Sequence, residues 1–318
     1  AIACFAGLIS CQYTYSQQLP SKQNISKARS VKVIADSVKT MAEKLIESGF
    51  TAGDAYGEVW IRDFNTFMDV SCKVNDKTII KKHILTFFQF QQPDGGILDG
   101  YVPVKNGNVP YNYYHSKLAP NYAGHKNTVE TDQESSLIQA IAKYIKGTGD
   151  KTILTETIGD VTVQKRLEQA MDFLLKQRFE KKYGLLWGAT TADWGDVQPE
   201  HDWGVVLDSN SHRTIDIYDN AMFVIAINDF LNMANLPAKD QKYWKGVKNS
   251  FAENIRKYLW DVKQQKFIPH IYLNGSPFPA SFNESEVYYH GGTAIAIEAG
   301  LLSKKEVQYA YKKMQDNV

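Results

Sequence analysis

Three cysteines, Cys4, Cys11 and Cys72, are all that this 318-residue chain holds. That is too little thiol for a disulfide framework or a cysteine metal cluster. No apolar run is long enough to span a bilayer. Neither sign of charge dominates: 36 Lys and Arg face 35 Asp and Glu, a net of +1, so neither a nucleic-acid footprint nor an acidic tail is present. P-loop, dinucleotide-glycine and nucleophile-elbow patterns are missing, and no His/Cys/Asp spacing reads as a coordination set. No cofactor and no metal are therefore expected. No linker rich in Ser, Gly or Pro follows residue 25, which predicts one domain over 25–318.

The start of the chain reads differently. Ala1 to Ile9, "AIACFAGLI", is a short apolar run before polar sequence, the pattern of a signal-peptide core whose basic leader is absent. Leu8-Ile9-Ser10-Cys11 resembles a bacterial lipobox, which implies lipidation at Cys11 and a polar tether over 12–24. The expected location is the bacterial cell envelope, periplasm or surface, with membrane contact through the lipid only.

From Ile25 onward the spacing is helical. Val31, Ile34, Val38, Met41, Leu45 and Ile46 step by three and four and predict an amphipathic helix ending near Gly49. Similar spacing predicts helices over 63–75, 78–92, 131–146, 161–178, 218–235, 240–259, 287–300 and 303–315. Strand signals are few; Lys266 to Leu273, "KFIPHIYL", reads as one strand or hairpin arm. Four helix starts follow loops rich in acids and aromatics, at 58, 128, 214 and 285. A repeated hairpin with its inner helices starting at one end would gather those starts around one mouth, each presenting its positive dipole end.

The long loops 93–127 and 180–215 are aromatic and acidic, the composition of functional loops. Within the second, Ala189 to Trp203, "ATTADWGDVQPEHDW", carries Asp193, Asp196, Glu200 and Asp202 beside Trp194, Trp203 and His201. A solvated acidic loop has no use for indoles, and a core segment cannot bury four unpaired acids. The combination fits a cleft where carboxylates act and flat rings hold a ligand.

Three stretches carry a resemblance. "VWIRDFNTFM" (59–68) is similar to the sugar-subsite segment of several six-hairpin glycosidases. "ADWGD" (192–196) resembles their general-acid segment in phosphorylase- and debranching-type members, and "YLWDVKQQKFIPHIY" (258–272) resembles a strand pair after an outer helix. The superfamily includes glucoamylases, trehalases, processing α-glucosidases, debranching amylo-α-1,6-glucosidases and cellobiose-type phosphorylases. The resemblance implies an all-α (α/α)6 toroid with minor β-hairpins in its loops. Six hairpins make twelve helices and the spacing yields about nine, so the expectation is a ring incomplete at the C-terminal end. The second catalytic carboxylate is then expected beyond residue 318, since Glu284 and Glu286 follow the acid too soon to match the family.

The implied activity is hydrolysis of oligo- or polysaccharides by an exported, monomeric enzyme. The general acid needs an environment that raises its pKa, and Asp193 and Asp196 flanking Trp194 and Gly195 offer one. The resemblance favours Asp196. An inverting enzyme with α-glycoside preference is the leading expectation; inversion sets the two carboxyls about 6.5–9.5 Å apart. Arg62 and Asp63 form an adjacent opposite-charge pair suited to sugar hydroxyls, with Trp60 as a stacking floor. Glu130 and Asp132 in "ETDQ" are further hydroxyl binders, although a capping box of Thr131 and Glu134 accounts for part of that segment. Trp194, Glu200, Trp203 and His290, the last before Gly291-Gly292, complete the expected substrate contacts; His201, His212 and Arg213 are read as bystanders. Two other readings compete: a polysaccharide lyase, kept open by Tyr111, Tyr113, Tyr114 and Tyr122, and a non-catalytic glycan-binding lipoprotein.

Overall fold

The computed structural model describes residues 22–52, 57–107, 112–191, 197–201 and 204–316, with the side chains of 22–31 left out. Cys11, Asp193, Trp194, Asp196, Asp202, Trp203 and Tyr111 lie outside them. Nine α-helices occur among the described residues: α1 (Lys22–Glu47), α2 (Ile61–Val74), α3 (Lys77–Gln89), α4 (Gln133–Thr148), α5 (Val163–Gln177), α6 (Ile217–Met233), α7 (Ala238–Tyr258), α8 (His290–Glu298) and α9 (Lys304–Asp316). Each matches a helix that the apolar spacing predicts.

Sequence decides which helices lie inside. In α6 the run Ile217 to Ile227 is buried on every side, as expected of a helix without a polar face. In α7 only Trp244, Phe251 and Ile255 are buried, one stripe of an otherwise polar helix. Accordingly α2 packs on α4, α4 on α6 and α6 on α8 as an inner row, while α1, α3, α5, α7 and α9 pack against it from outside. This alternation is that of an (α/α) toroid, and the all-α expectation holds. Helix ends follow local chemistry. The carboxylates of Asp76 and Asp216 cap α3 and α6 by accepting from Thr78 N (2.7 Å) and Asp219 N (2.8 Å). At the other end, Gly149 closes α4 in the left-handed region, φ 73°.

The sheets are small, and the two largest lie in the loops before the inner helices. An antiparallel four-stranded sheet runs in the order 59–60, 100–103, 122–125, 114–115; a three-stranded one runs 271–272, 213–215, 188–189. The stretch 266–273 is not one strand. Lys266–Phe267 pairs with Trp260–Asp261, whereas Ile271–Tyr272 joins the three-stranded sheet. Pro269 stands between them and cannot donate to a ladder.

The predicted apolar face of α1 is not core. Ile34, Val38, Met41 and Leu45 are exposed, and only Ile46 of that series is buried.

Candidate active site

The first turns of three inner helices converge. Trp60 ends the strand before α2 and lies opposite Gly100 in the register. A Cβ on Gly100 would stand 2.8 Å from Trp60 Cζ3, so glycine is what lets the indole lie flat on that strand. Two residues on, Arg62 leaves α2 and meets the start of α4. Its Nε donates to Asp132 Oδ2 at 2.7 Å, and its second amino group stands 2.5 Å from Glu130 Oε1. Tyr218, in the first turn of α6, donates its hydroxyl to the same Asp132 oxygen at 3.0 Å.

The network is buried, and burial sets its ionisation. Asp132 is fully buried and Glu130 is 6 % exposed. Burial alone would lower the Arg62 pKa, but Asp132 and Glu130 outweigh it and hold the guanidinium well above its ordinary value. Burial and the Asp132 charge push the Tyr218 phenol well up, so it remains a donor. Arg62 is thus ion-paired with an acid pair about 70 residues away, where adjacency implied Asp63.

The predicted capping box is absent. Asp132, not Thr131, is the N-cap of α4, and no side-chain cap bond is made there. Thr131 donates to Trp187 O at 3.0 Å, while Glu134 accepts from Ile97 N (2.8 Å) and Lys126 Nζ (3.1 Å). A buried cation and an unpaired backbone donor from other segments take Glu134 away from its own helix.

A second group lies along the three-stranded sheet. Glu200 Oε1 accepts from His212 N (3.1 Å) and pairs with His212 Nδ1 (2.9 Å). His212 is therefore tied to Glu200. Tyr272, which feels the Glu200 charge, donates to Glu284 Oε1 at 2.7 Å, and His270 Nδ1 contacts that same oxygen at 2.5 Å. Burial would raise Glu284, but these two bonds hold it below the ordinary range, so it is ionised. Glu286 is exposed and bonded to Asn283. His290 opens α8 with its ring 5.4 Å from that of Tyr288.

The structure thus brings Arg62, Glu130 and Asp132 into one network, with Trp60 two residues before Arg62, and sets Glu200 in the second group. Two residues were missed. Asp216 and Asp219 sit at the start of α6 beside Tyr218. Asp219 is only 7 % exposed and pushed well above the carboxylate range by burial and by the charges of Asp216 and Asp132, against Arg62 and Arg178. The signal was available in "TIDIYDNA", an acid doublet at one of the four recurring helix starts. Among the described residues no group of His, Cys, Asp and Glu could hold a metal ion. A separate cavity of about 670 Å³ between α4, α6 and α8 is lined by Asp69, Lys143, Lys146, Asp229 and Glu298 and by none of the predicted site residues.

Solved structures share the fold. A GH63 mannosylglycerate hydrolase from Thermus thermophilus, in complex with glucose, aligns with a TM-score of 0.55 at 13% identity over 86% of this chain and 74% of its own. A GH78-family rhamnosidase of Bacillus sp. GL1 gives 0.54 at 16% identity, over 80% of this chain and 22% of its own. A Klebsiella oxytoca rhamnosidase with rhamnose bound gives 0.51 at 10% identity, over 82% and 42%. The chain therefore spans less than half the length of either rhamnosidase. No curated protein matches the sequence. The catalytic-domain profile described as "Glycosyl hydrolase 94 superfamily, catalytic domain" matches residues 44–318, and the chain belongs to that superfamily.

Proposed function

We propose that this chain is the catalytic domain of an exported glycoside hydrolase that cleaves oligo- or polysaccharides with inversion, preferring α-glycosides. The observation that carries the reading is the Arg62–Glu130–Asp132–Tyr218 network, which locks three inner-helix starts together. A rigid array of charged donors and acceptors is what paired sugar hydroxyls require. The acid-bearing segment Ala189 to Trp203 starts from the strand 188–189, whose Ala189 N donates to Val129 O at 3.1 Å, next in the chain to Glu130. In this reading Asp196, or else Asp193, protonates the leaving oxygen. Export rests on the lipobox-like "LISC"; Cys11→Ala should leave the full-length protein unprocessed or mislocalised, and unchanged processing would sink that part.

The test of the activity is a panel of α- and β-linked oligosaccharides, assayed with and without inorganic phosphate because the resembled superfamily includes phosphorylases, with anomers followed by NMR. Asp196→Asn or Asp193→Asn should lower kcat by several powers of ten, with partial rescue on activated aryl glycosides that need little protonation. If both amides leave turnover intact, the acid assignment is wrong. The competing lyase reading, which rests on Tyr111, Tyr113, Tyr114 and Tyr122, predicts an unsaturated uronide that absorbs in the ultraviolet, which hydrolysis does not form.

A further inference from the structure

Asp219 is an acid that the network does not consume. Its backbone N–H is taken by the Asp216 cap at 2.8 Å, but among the described residues nothing hydrogen-bonds or ion-pairs with its carboxyl, although the residue is only 7 % exposed. Four charged groups face it from the elements packed around it: Asp216 before its own helix, Asp132 at the start of α4, Arg62 on α2, and Arg178 at the end of α5. Arg178 Nη1, like the Asp219 carboxyl, has no hydrogen-bond partner among the described residues. Arg62 is held by Asp132 and Glu130, and Arg178 donates to Thr128 O at 2.7 Å.

The backbone opposite has been cleared for this carboxyl. A Cβ on Gly188 would stand 2.9 Å from Asp219 Oδ2 and 3.2 Å from Thr131 Oγ1. Neither Asp219 oxygen is among the sealed, unsatisfied polar atoms of the described residues, so the partnerless carboxyl of this nearly buried residue remains reachable by a ligand that supplies the bond. We propose that the Asp219 carboxyl is a sugar-binding group of this site, taking a pyranose hydroxyl beside the Arg62–Asp132 pair.

The assignment rests on the glycosidase reading and names a residue which that reading did not contain. Burial and the Asp216 and Asp132 charges push this carboxyl up, against Arg62 and Arg178; a carboxyl accepts from a hydroxyl, and its protonated form also donates. Asparagine offers the same pair of functions at nearly the same shape; alanine offers neither.

The experiment uses p-nitrophenyl α- and β-D-pyranosides with the full-length protein as wild type, Asp219→Ala and Asp219→Asn, the fold of each being checked by circular dichroism. For the glycoside hydrolysed fastest, the monodeoxy series is then measured. Asp219→Ala should raise KM about three- to tenfold, the worth of one hydrogen bond, with a smaller change in kcat, and Asp219→Asn should stay within about threefold of wild type. One monodeoxy glycoside should cost the wild type that factor and cost Asp219→Ala nothing further, a coupling that a purely structural role would not produce. Additive losses, or an unchanged KM in Asp219→Ala, overturn this assignment alone. A wild type that hydrolyses nothing on the panel overturns the glycosidase reading together with it. Should the alanine variant fail to fold, Asp219→Ser, too short to reach the hydroxyl, gives the same readout.

Discussion

Arg62 Nε and Asp132 Oδ2 meet at 2.7 Å although 70 residues separate them in the chain. Glu130 shares the same guanidinium, so one cation holds two nearly sealed carboxylates at the seam of α2 and α4.

Removing that cation leaves both acids buried and uncompensated. Arg62→Ala should destabilise the fold by roughly 3–5 kcal/mol in urea unfolding. Arg62→Lys should recover only part, because an ammonium cannot bond both carboxylates with a planar fork. A loss below about 1 kcal/mol, the range of exposed ion pairs, would show that the seam is not held this way.

Cys72 gives a chemical readout of the same seam. A Cβ on Gly147 of α4 would lie 2.7 Å from the Cys72 Cβ, so the two helices touch backbone to side chain there. Burial, aided by Asp69, pushes the thiol up to about 11. At pH 8 the folded chain should therefore alkylate at Cys72 on the order of a hundred times more slowly than unfolded chain, since only the thiolate reacts. Peptide mapping after iodoacetamide checks this site by site. Gly147→Ala should force the helices apart and speed the reaction; equal rates in both proteins would contradict the contact.

His83 predicts an acid-side loss of stability. Its Nδ1 lies 2.5 Å from the buried Tyr101 hydroxyl, and burial, with Lys82 adding, lowers the imidazole to about 4. Unfolded histidine titrates near ~6.5. Between those values the unfolded chain binds a proton that the folded chain refuses, so stability falls as pH drops from about 6.5 to about 4, by up to about 3 kcal/mol. Other acids titrate in the same window, so the comparison is with His83→Gln. Urea midpoints at pH 7 and 4.5 should converge less steeply in the variant; identical slopes would refute the shift.

Much of this architecture was legible in the chain, and the exceptions have physical reasons. The nine described helices are readable because apolar residues at three- and four-residue steps leave a stripe, or, in α6, no polar face at all. The same periodicity in α1 implies a core face, yet Val38, Met41 and Leu45 are exposed, since spacing records amphipathicity and not what covers it. Thr131 and Glu134 have the spacing of a capping box, but Lys126 and Ile97 compete for Glu134 in the folded chain. Pairings such as Arg62 with Asp132, or Glu200 with His212, depend on how helix starts and loops meet, which no local pattern encodes. Asp219 escaped notice for the opposite reason: an acid in the first turn of a helix has an ordinary explanation in the dipole, and only its burial without a partner sets it apart.

Gly100 offers a test of Trp60 that leaves every proposed catalytic group in place. The indole rests on the Gly100 backbone, where a Cβ would stand 2.8 Å from Cζ3 and 3.1 Å from Cδ2. Contacts that short cannot be met without moving the ring. Gly100 is buried at the start of a strand paired on both sides, its register partners being Trp60 and His125, so the backbone has little room to yield and the indole must tilt instead. His125, whose ring stands edge-on to the indole at 6.1 Å, limits that tilt further. If Trp60 is a stacking floor for a pyranose, Gly100→Ala should raise KM roughly fivefold, in line with the about 1 kcal/mol worth of an aromatic contact. The effect on kcat should be smaller, because the proposed general acid, Asp196 or Asp193, is on another segment. Trp60→Ala should reproduce the KM effect, and the double variant should add little beyond it. A Gly100→Ala enzyme with unchanged KM and shifted tryptophan fluorescence would mean that the ring moved without consequence, and that Trp60 is a packing residue at the root of α2.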